Sequence, residues 1–298
     1  MMSLTQFVAL TLLIGSVLCY PVEDLSETEL YSAEQLIDAQ VQEDYEPEFP
    51  NLVEEAGYSQ EVTEEDIPDF SDITEAEDAD LEHPLITYGD VAVKPRSRNA
   101  APCTLRGCKW PKHANGFVYV PVVISSRYNQ TERNIIIKGL TSLHNTTCIR
   151  FVWWNGHRDY LYIYPGQGCW SFVGRQGGQQ ALSLQRPGCV YHHVVQHEML
   201  HALGFHHEQV RSDRNNHVII LEENIIPGKE RNFRQIATNN LWTPYDYRSV
   251  MHYGRYYFSK DRGRLPTIIP KPNPNVTIGL ATQMSRYDVL RVKRLYMC

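Results

Sequence analysis

Apolar side chains fall into three regimes along the chain. Residues 4–18, LTQFVALTLLIGSVL, are predominantly apolar and stand at the extreme N-terminus. That run is too short to span a bilayer comfortably and no stop-transfer pattern follows it. It reads as a signal peptide, residues 1–19, ending at or near Cys19. Residues 20–82 have few apolar runs and read as disordered or marginally helical. From residue 117 strand and helix periods alternate. FVYVPVVIS (117–125), IRFVWWN (149–155) and YLYIYP (160–165) are rich in β-branched and aromatic residues and predict strands. NQTERNIIIKGLTSLHN (129–145) sets Ile135, Ile136, Leu140 and Leu143 on one side of a helix. The Gly-rich stretch 168–189 predicts a hairpin, and VYHHVVQHEMLHAL (190–203) a second helix ended by Gly204. Beyond Asn239 the pattern is irregular until a short helix near Tyr287–Leu295. The expected fold class is α+β: a mixed sheet with two long helices, then a mostly irregular C-terminal part.

Charge sharpens the division. Residues 1–98 hold three basic and 24 acidic side chains, a net of −21, whereas residues 99–298 hold 25 and 11, a net of +14. Pieces of opposite sign suggest that one shields or docks on the other. The boundary lies in KPRSRNAAPC (94–103), where a basic, Pro-containing stretch reads as a processing site. A protease cutting after Arg98 would remove an acidic propeptide, 20–98, and leave a catalytic domain, 99–298, beginning at Asn99. The basic residues form no stripe or known binding motif, which argues against nucleic acid as a partner. No further segment reads as membrane-spanning, and a monomer is expected.

Six cysteines remain after Cys19: Cys103, Cys108, Cys148, Cys169, Cys189 and Cys298. An even count in an exported chain implies three disulfides, with fifteen possible connectivities. None forms a Cys-x-x-Cys pair, so a thiolate zinc site is disfavoured. Asn129, Asn145 and Asn275 head glycosylation sequons, in keeping with export.

The chemistry concentrates at His197-Glu-x-x-His201-x-x-Gly204-x-x-His207. A spacing of four puts His197 and His201 on one helix face, one turn apart. Gly204 tolerates the positive φ of a sharp turn, which lets His207 return as a third metal ligand. Glu198 projects beside the metal and can take a proton from water. Three neutral imidazoles leave coordination open, as a catalytic zinc requires.

The full stretch HEMLHALGFHHEQVRSDR (197–214), with Ser249-Val-Met-His-Tyr-Gly254, resembles the astacin family of metzincin zinc peptidases over about residues 99–298. Asn215 stands where the family has Asp. The extra pair of Cys103 and Cys108, and NNLWTPYDYRSVMHYG (239–254), look like the fish hatching enzymes (choriolysins) and their six-cysteine relatives. The resemblance implies one zinc per chain in a cleft between two subdomains, with His197, His201 and His207 as ligands. It implies Glu198 as general base and then proton donor, Tyr253 as a switchable ligand that stabilises the oxyanion, and Met251 as an apolar floor. Glu208 would meet the new N-terminal ammonium of Asn99. Asp90, in Tyr88-Gly89-Asp90, would be the propeptide's metal-blocking switch, with Thr87 where the family has Phe. The implied disulfides are Cys103–Cys108, Cys148–Cys298 and Cys169–Cys189.

The expected activity is therefore zinc-dependent endopeptidase action on extracellular proteins, with acidic proteins or egg-envelope glycoproteins as candidate substrates. Secretion as a zymogen, by way of granules, follows from the resemblance to hatching enzymes. A protease of the same family serving an immune or epithelial tissue is a competing expectation. So is a non-catalytic binding protein that kept the fold, although the intact His/Glu/His/His set with Tyr253 argues against it.

Overall fold

The computed structural model describes residues 84–93 and 108–298, all within one compact unit, Val62–Cys298. The expected signal peptide, the acidic stretch 20–82, the processing site around Arg98, Asn99 and Cys103 lie outside the described residues.

Seven strands form one mixed sheet in the order β1-β2-β6-β7-β5-β3-β4. Next to one edge, β3 (Val118–Ile124) is flanked in parallel by β4 (Ile149–Trp153) and β5 (Tyr160–Tyr164), and β5 pairs in parallel with the central β7 (Gln179–Leu184). The Gly-rich stretch makes the expected hairpin: β6 (Cys169–Phe172) is antiparallel to β7, and Cys169–Cys189 ties its base. Beyond β6 lies a hairpin of β1 (Leu85–Thr87) and β2 (Val91–Val93), with Val91 and Ala92 parallel to Ser171 and Phe172. Sequence pattern did not announce this hairpin, because three residues per strand are too few to show alternation.

Two helices cover the sheet. Helix α1 (Gln130–Thr146) starts on a capping box between Asn129 and Glu132 and buries Ile136, Leu140 and Leu143. Ile135, expected on the same face, is half-buried. Helix α2 (His192–Ala202) has no side-chain N-cap and is buried over most of its surface, so packing holds it rather than local signals. The helices touch at Gly139, where an added Cβ would lie 2.4 Å from a Val195 methyl carbon. Any larger residue would pry α2, and the site it carries, off α1.

Past Gly204 the chain is mostly irregular, as expected for the part beyond Asn239, but it contains an antiparallel pair that pattern did not indicate, β8 (Val218–Ile220) with β9 (Ile268–Pro270). Phe233, Tyr245, Tyr253, Ile268 and Ile278 build a second apolar cluster there. Helix α3 (Arg286–Tyr296), capped by Ser285 and Asp288, packs Val292 and Tyr296 into the main core. Cys148–Cys298 locks its end to the start of β4 across a separation of 150 residues. No helix among the described residues is long and apolar enough to cross a membrane.

Candidate active site

Helix α2 presents His197 and His201 with ring centroids 4.7 Å apart. Gly204, at φ 109°, breaks the helix, and Phe205 N–H bonds back to the Leu200 carbonyl. The reversal carries His207 to ring distances of 4.7 Å from His201 and 5.2 Å from His197. The Nε2 atom of His197 lies 3.1 Å from that of His201 and 3.3 Å from that of His207. Asp90, at the start of β2, closes the group: its carboxylate is 2.9 Å from His207 Nε2, 3.2 Å from His197 Nε2 and 3.4 Å from His201 Nε2. The four residues each offer a ligand atom within 4.8 Å of all the others.

The donor set fits a divalent metal. His197 Nδ1–H donates to the Val250 carbonyl at 2.8 Å and His201 Nδ1–H to the Phe205 carbonyl at 2.7 Å. These bonds fix the tautomers and leave Nε2 lone pairs aimed inward. Were the Nε2 contacts with Asp90 ordinary hydrogen bonds, His197 and His201, whose Nδ1 protons are already engaged, would both have to be cations with their Nε2 atoms 3.1 Å apart. Neutral rings around one cation remove that conflict. Burial pushes His201 down, and His207 down to about 4, so both are neutral at pH 7. Burial also opposes a charged His197, but Asp90 and the Val250 carbonyl outweigh it and move that ring up. Asp90 stays well below the usual carboxylate range: burial disfavours its charge, but the three imidazoles prevail.

Glu198 is 1% exposed, and its Oε2 has no hydrogen-bond partner among the described residues. Burial, and then the neighbouring Asp90 charge, raise its pKa well above the ordinary carboxylate range. A buried carboxylate without a partner is costly, and such positions are commonly kept for proton transfer. Tyr253 packs its ring 4.6 Å from His207 and donates its hydroxyl proton to the Tyr88 carbonyl. Met251 is buried in the turn closed by His252 N–H on the Ser249 carbonyl, and its own carbonyl accepts Glu208 N–H at 3.0 Å.

The sequence expectations thus converge in space for His197, Glu198, His201, His207, Tyr253, Met251 and Asp90. Glu208 is buried beside them, but its oxygens face Arg211 and Arg291. Of the sequons, Asn129 caps α1, Asn145 sits on its last turn, and Asn275 is exposed in the C-terminal half. Supporting residues went unseen. Asp288 accepts Ser249 Oγ–H at 2.6 Å and Val250 N–H at 2.9 Å, fixing the Met251 turn. In the sequence, Ser285-x-x-Asp288 signals only a helix start. Tyr245 and His252, 2.8 Å apart, similarly brace the backbone of Tyr253.

A metal-ready His₃ cluster with an adjoining buried Glu, on a helix ended by Gly and set against a mixed sheet, defines a metal-dependent peptidase. The profile of the peptidase family "Astacin" matches residues 107–297, and the chain belongs to that family of zinc-dependent metalloendopeptidases. High choriolytic enzyme 2 of Oryzias latipes is 50% identical over 214 residues, 72% of this chain and 76% of that protein. Low choriolytic enzyme of the same fish is 45% identical over 247 residues, 82% of this chain and 90% of the relative. The solved structure of high choriolytic enzyme 1, a hatching-enzyme zinc protease from medaka, superposes with a TM-score of 0.64 at 49% identity. It covers 67% of this chain and all of that one.

Proposed function

We propose that this chain is a secreted endopeptidase made as a latent precursor: signal peptide 1–19, propeptide 20–98 and catalytic domain 99–298. The observation that carries the proposal is the Asp90 carboxylate set against all three imidazoles. Latency has two further supports. Strand β2 takes the free edge of β6, which an extended substrate needs for main-chain pairing. Tyr253 spends its hydroxyl on the Tyr88 carbonyl. Cutting after Arg98 would release all three holds together.

His197, His201 and His207 would hold zinc, which supplies the Lewis acid that polarises a peptide carbonyl and acidifies water. Glu198, raised by burial, takes a proton from the attacking water and delivers it to the leaving amine. Tyr253, freed from Tyr88, donates a hydrogen bond to the oxygen that gains charge. Strand β6 aligns the substrate backbone so that the scissile bond meets these groups.

The surplus of positive charge on residues 99–298 suits acidic protein substrates. Relatives named choriolytic enzymes favour egg-envelope proteins over substrates of other tissues, and release from granules fits a stored precursor. The test is to treat the full chain with trypsin, sequence the new N-terminus, and assay casein and isolated egg envelopes. Asn99 as first residue, with hydrolysis appearing only after the cut and ceasing with a chelator, is expected. Hydrolysis of casein with intact envelopes would move the enzyme to another tissue. No hydrolysis of either would leave a binding protein.

A further inference from the structure

The Tyr253 ring is buried, and its hydroxyl donates to the Tyr88 carbonyl. That acceptor leaves with the propeptide. Where the phenol then points is set by two side-chain torsions, and so by the rings packed against it. Among the described residues four rings do this. The His207 imidazole is 4.6 Å away by centroid and tilted by 50°, while Phe233 and Phe258 stand off at 6.0 and 5.9 Å. Tyr257 is the ring that stacks: its centroid is 4.7 Å away and its plane 26° from parallel.

The stack is built locally. Tyr257 N–H bonds the Gly254 carbonyl at 3.1 Å, closing a turn that folds residue 257 back onto residue 253. Gly254 leaves room for the ring, since a Cβ there would crowd Tyr257 Cδ2 at 3.3 Å. The turn is also braced from the neighbouring segment, because a Cβ on Gly279 would meet Gly254 N at 2.2 Å. Two backbones that close leave the turn little freedom to shift.

Tyr257 belongs to the cleft and not to the core. It is 50% exposed, against 3% for Tyr253, and it lines a cavity of about 640 Å³ with Arg262, Val276 and Leu280. Partial burial and then the Asp90 charge raise the pKa of its hydroxyl, Arg262 opposes them and Glu198 adds to them. The hydroxyl is thus within reach of both carboxylates of the site. The contact with Tyr253 nevertheless runs through the rings. An offset stack of this kind favours one relative orientation of the two rings. An oxyanion donor contributes in proportion to how well its O–H is aimed, and small misplacements are costly.

We infer that Tyr257 is a positioning residue for Tyr253: its ring, and not its hydroxyl, sets the direction of the Tyr253 O–H once Tyr88 has gone. This rests on the reading of the chain as a peptidase in which Tyr253 serves the oxyanion.

The experiment uses the full chain, cut by trypsin, with the N-terminus sequenced and kcat and KM measured on a fluorogenic peptide. Tyr257→Ala is expected to lower kcat about tenfold with KM within about twofold. Tyr257→Phe keeps the ring and is expected to recover most of that loss. Without the Tyr253 hydroxyl there is nothing left to aim, so in a Tyr253→Phe background Tyr257→Ala is expected to change kcat by less than about twofold. The double variant also exposes general damage to the fold, which would lower kcat in both backgrounds. A phosphinic peptide, whose tetrahedral phosphorus oxygens stand in for the oxyanion, gives a readout beside turnover. Its inhibition constant is expected to weaken about tenfold in Tyr257→Ala, in step with kcat/KM. A wild-type kcat in Tyr257→Ala, an equal loss in Tyr257→Phe, or a loss of about tenfold that persists in the Tyr253→Phe background would overturn the inference. Failure of the underlying reading looks different: the correctly cut wild type is then inert, or Tyr253→Phe turns over as fast as wild type.

Discussion

A Cβ built on Gly89 would stand 2.6 Å from the hydroxyl oxygen of Tyr253 and 3.1 Å from the Phe258 ring. Gly89 also has φ 86°, where a side chain is strained. The turn that presents Asp90 thus fits against Tyr253 only because residue 89 has no side chain. Gly89→Ala is expected to loosen the hairpin and give the uncut chain measurable casein hydrolysis, at least about tenfold above the wild-type precursor. An uncut variant as silent as wild type would show that the hairpin tolerates the crowding.

Asp90→Asn removes the charge and keeps the shape. The uncut variant is expected to be partly active and to lose its metal to a chelator faster than wild type. After trypsin, when residue 90 has left, the two proteins should be equal. A difference persisting after the cut would place Asp90's role outside latency.

Glu198→Gln keeps the size of the buried side chain and removes its capacity to take a proton. The cut variant is expected to retain zinc and lose a hundredfold or more in kcat, roughly the scale of general-base catalysis. Metal content measured beside turnover separates this from simple loss of the ion. Near-normal turnover would remove Glu198 from the mechanism.

Cys148–Cys298 closes a loop of 150 residues and pins α3, and with it Arg291 and Asp288, to the sheet. Replacing both cysteines by Ala is expected to cost about 2–5 kcal/mol. On a domain of this size that lowers the melting temperature by roughly 5–15 °C. Calorimetry on the cut enzyme checks it, and an unchanged transition would show that packing of Val292 and Tyr296 alone suffices.

The sequence announced the metal cluster because its logic is local: a one-turn repeat on a helix, and a Gly that permits a reversal. It announced the strands at 118–124, 149–153 and 160–164, whose β-branched runs are long enough to read. It was silent where partners are distant in the chain. Arg291 looks like one basic residue among several in a helix, and only the fold brings it 83 positions back to Glu208. The pairs β1–β2 and β8–β9 escaped notice because three-residue strands carry no periodicity. Asp90 was recognisable only through the Tyr-Gly-Asp resemblance, since its acidic neighbourhood hides it.

The most direct test is the metal content of the enzyme cut after Arg98, measured by atomic absorption in wild type and in His207→Ala, with casein hydrolysis followed in parallel. One zinc per chain in wild type is expected, with activity lost to a chelator and restored by zinc, and metal and activity both greatly reduced in the variant. Hydrolysis undiminished in protein stripped of metal, or a wild-type enzyme that folds, is cut and carries none, would contradict the assignment of His197, His201 and His207 as the catalytic metal site.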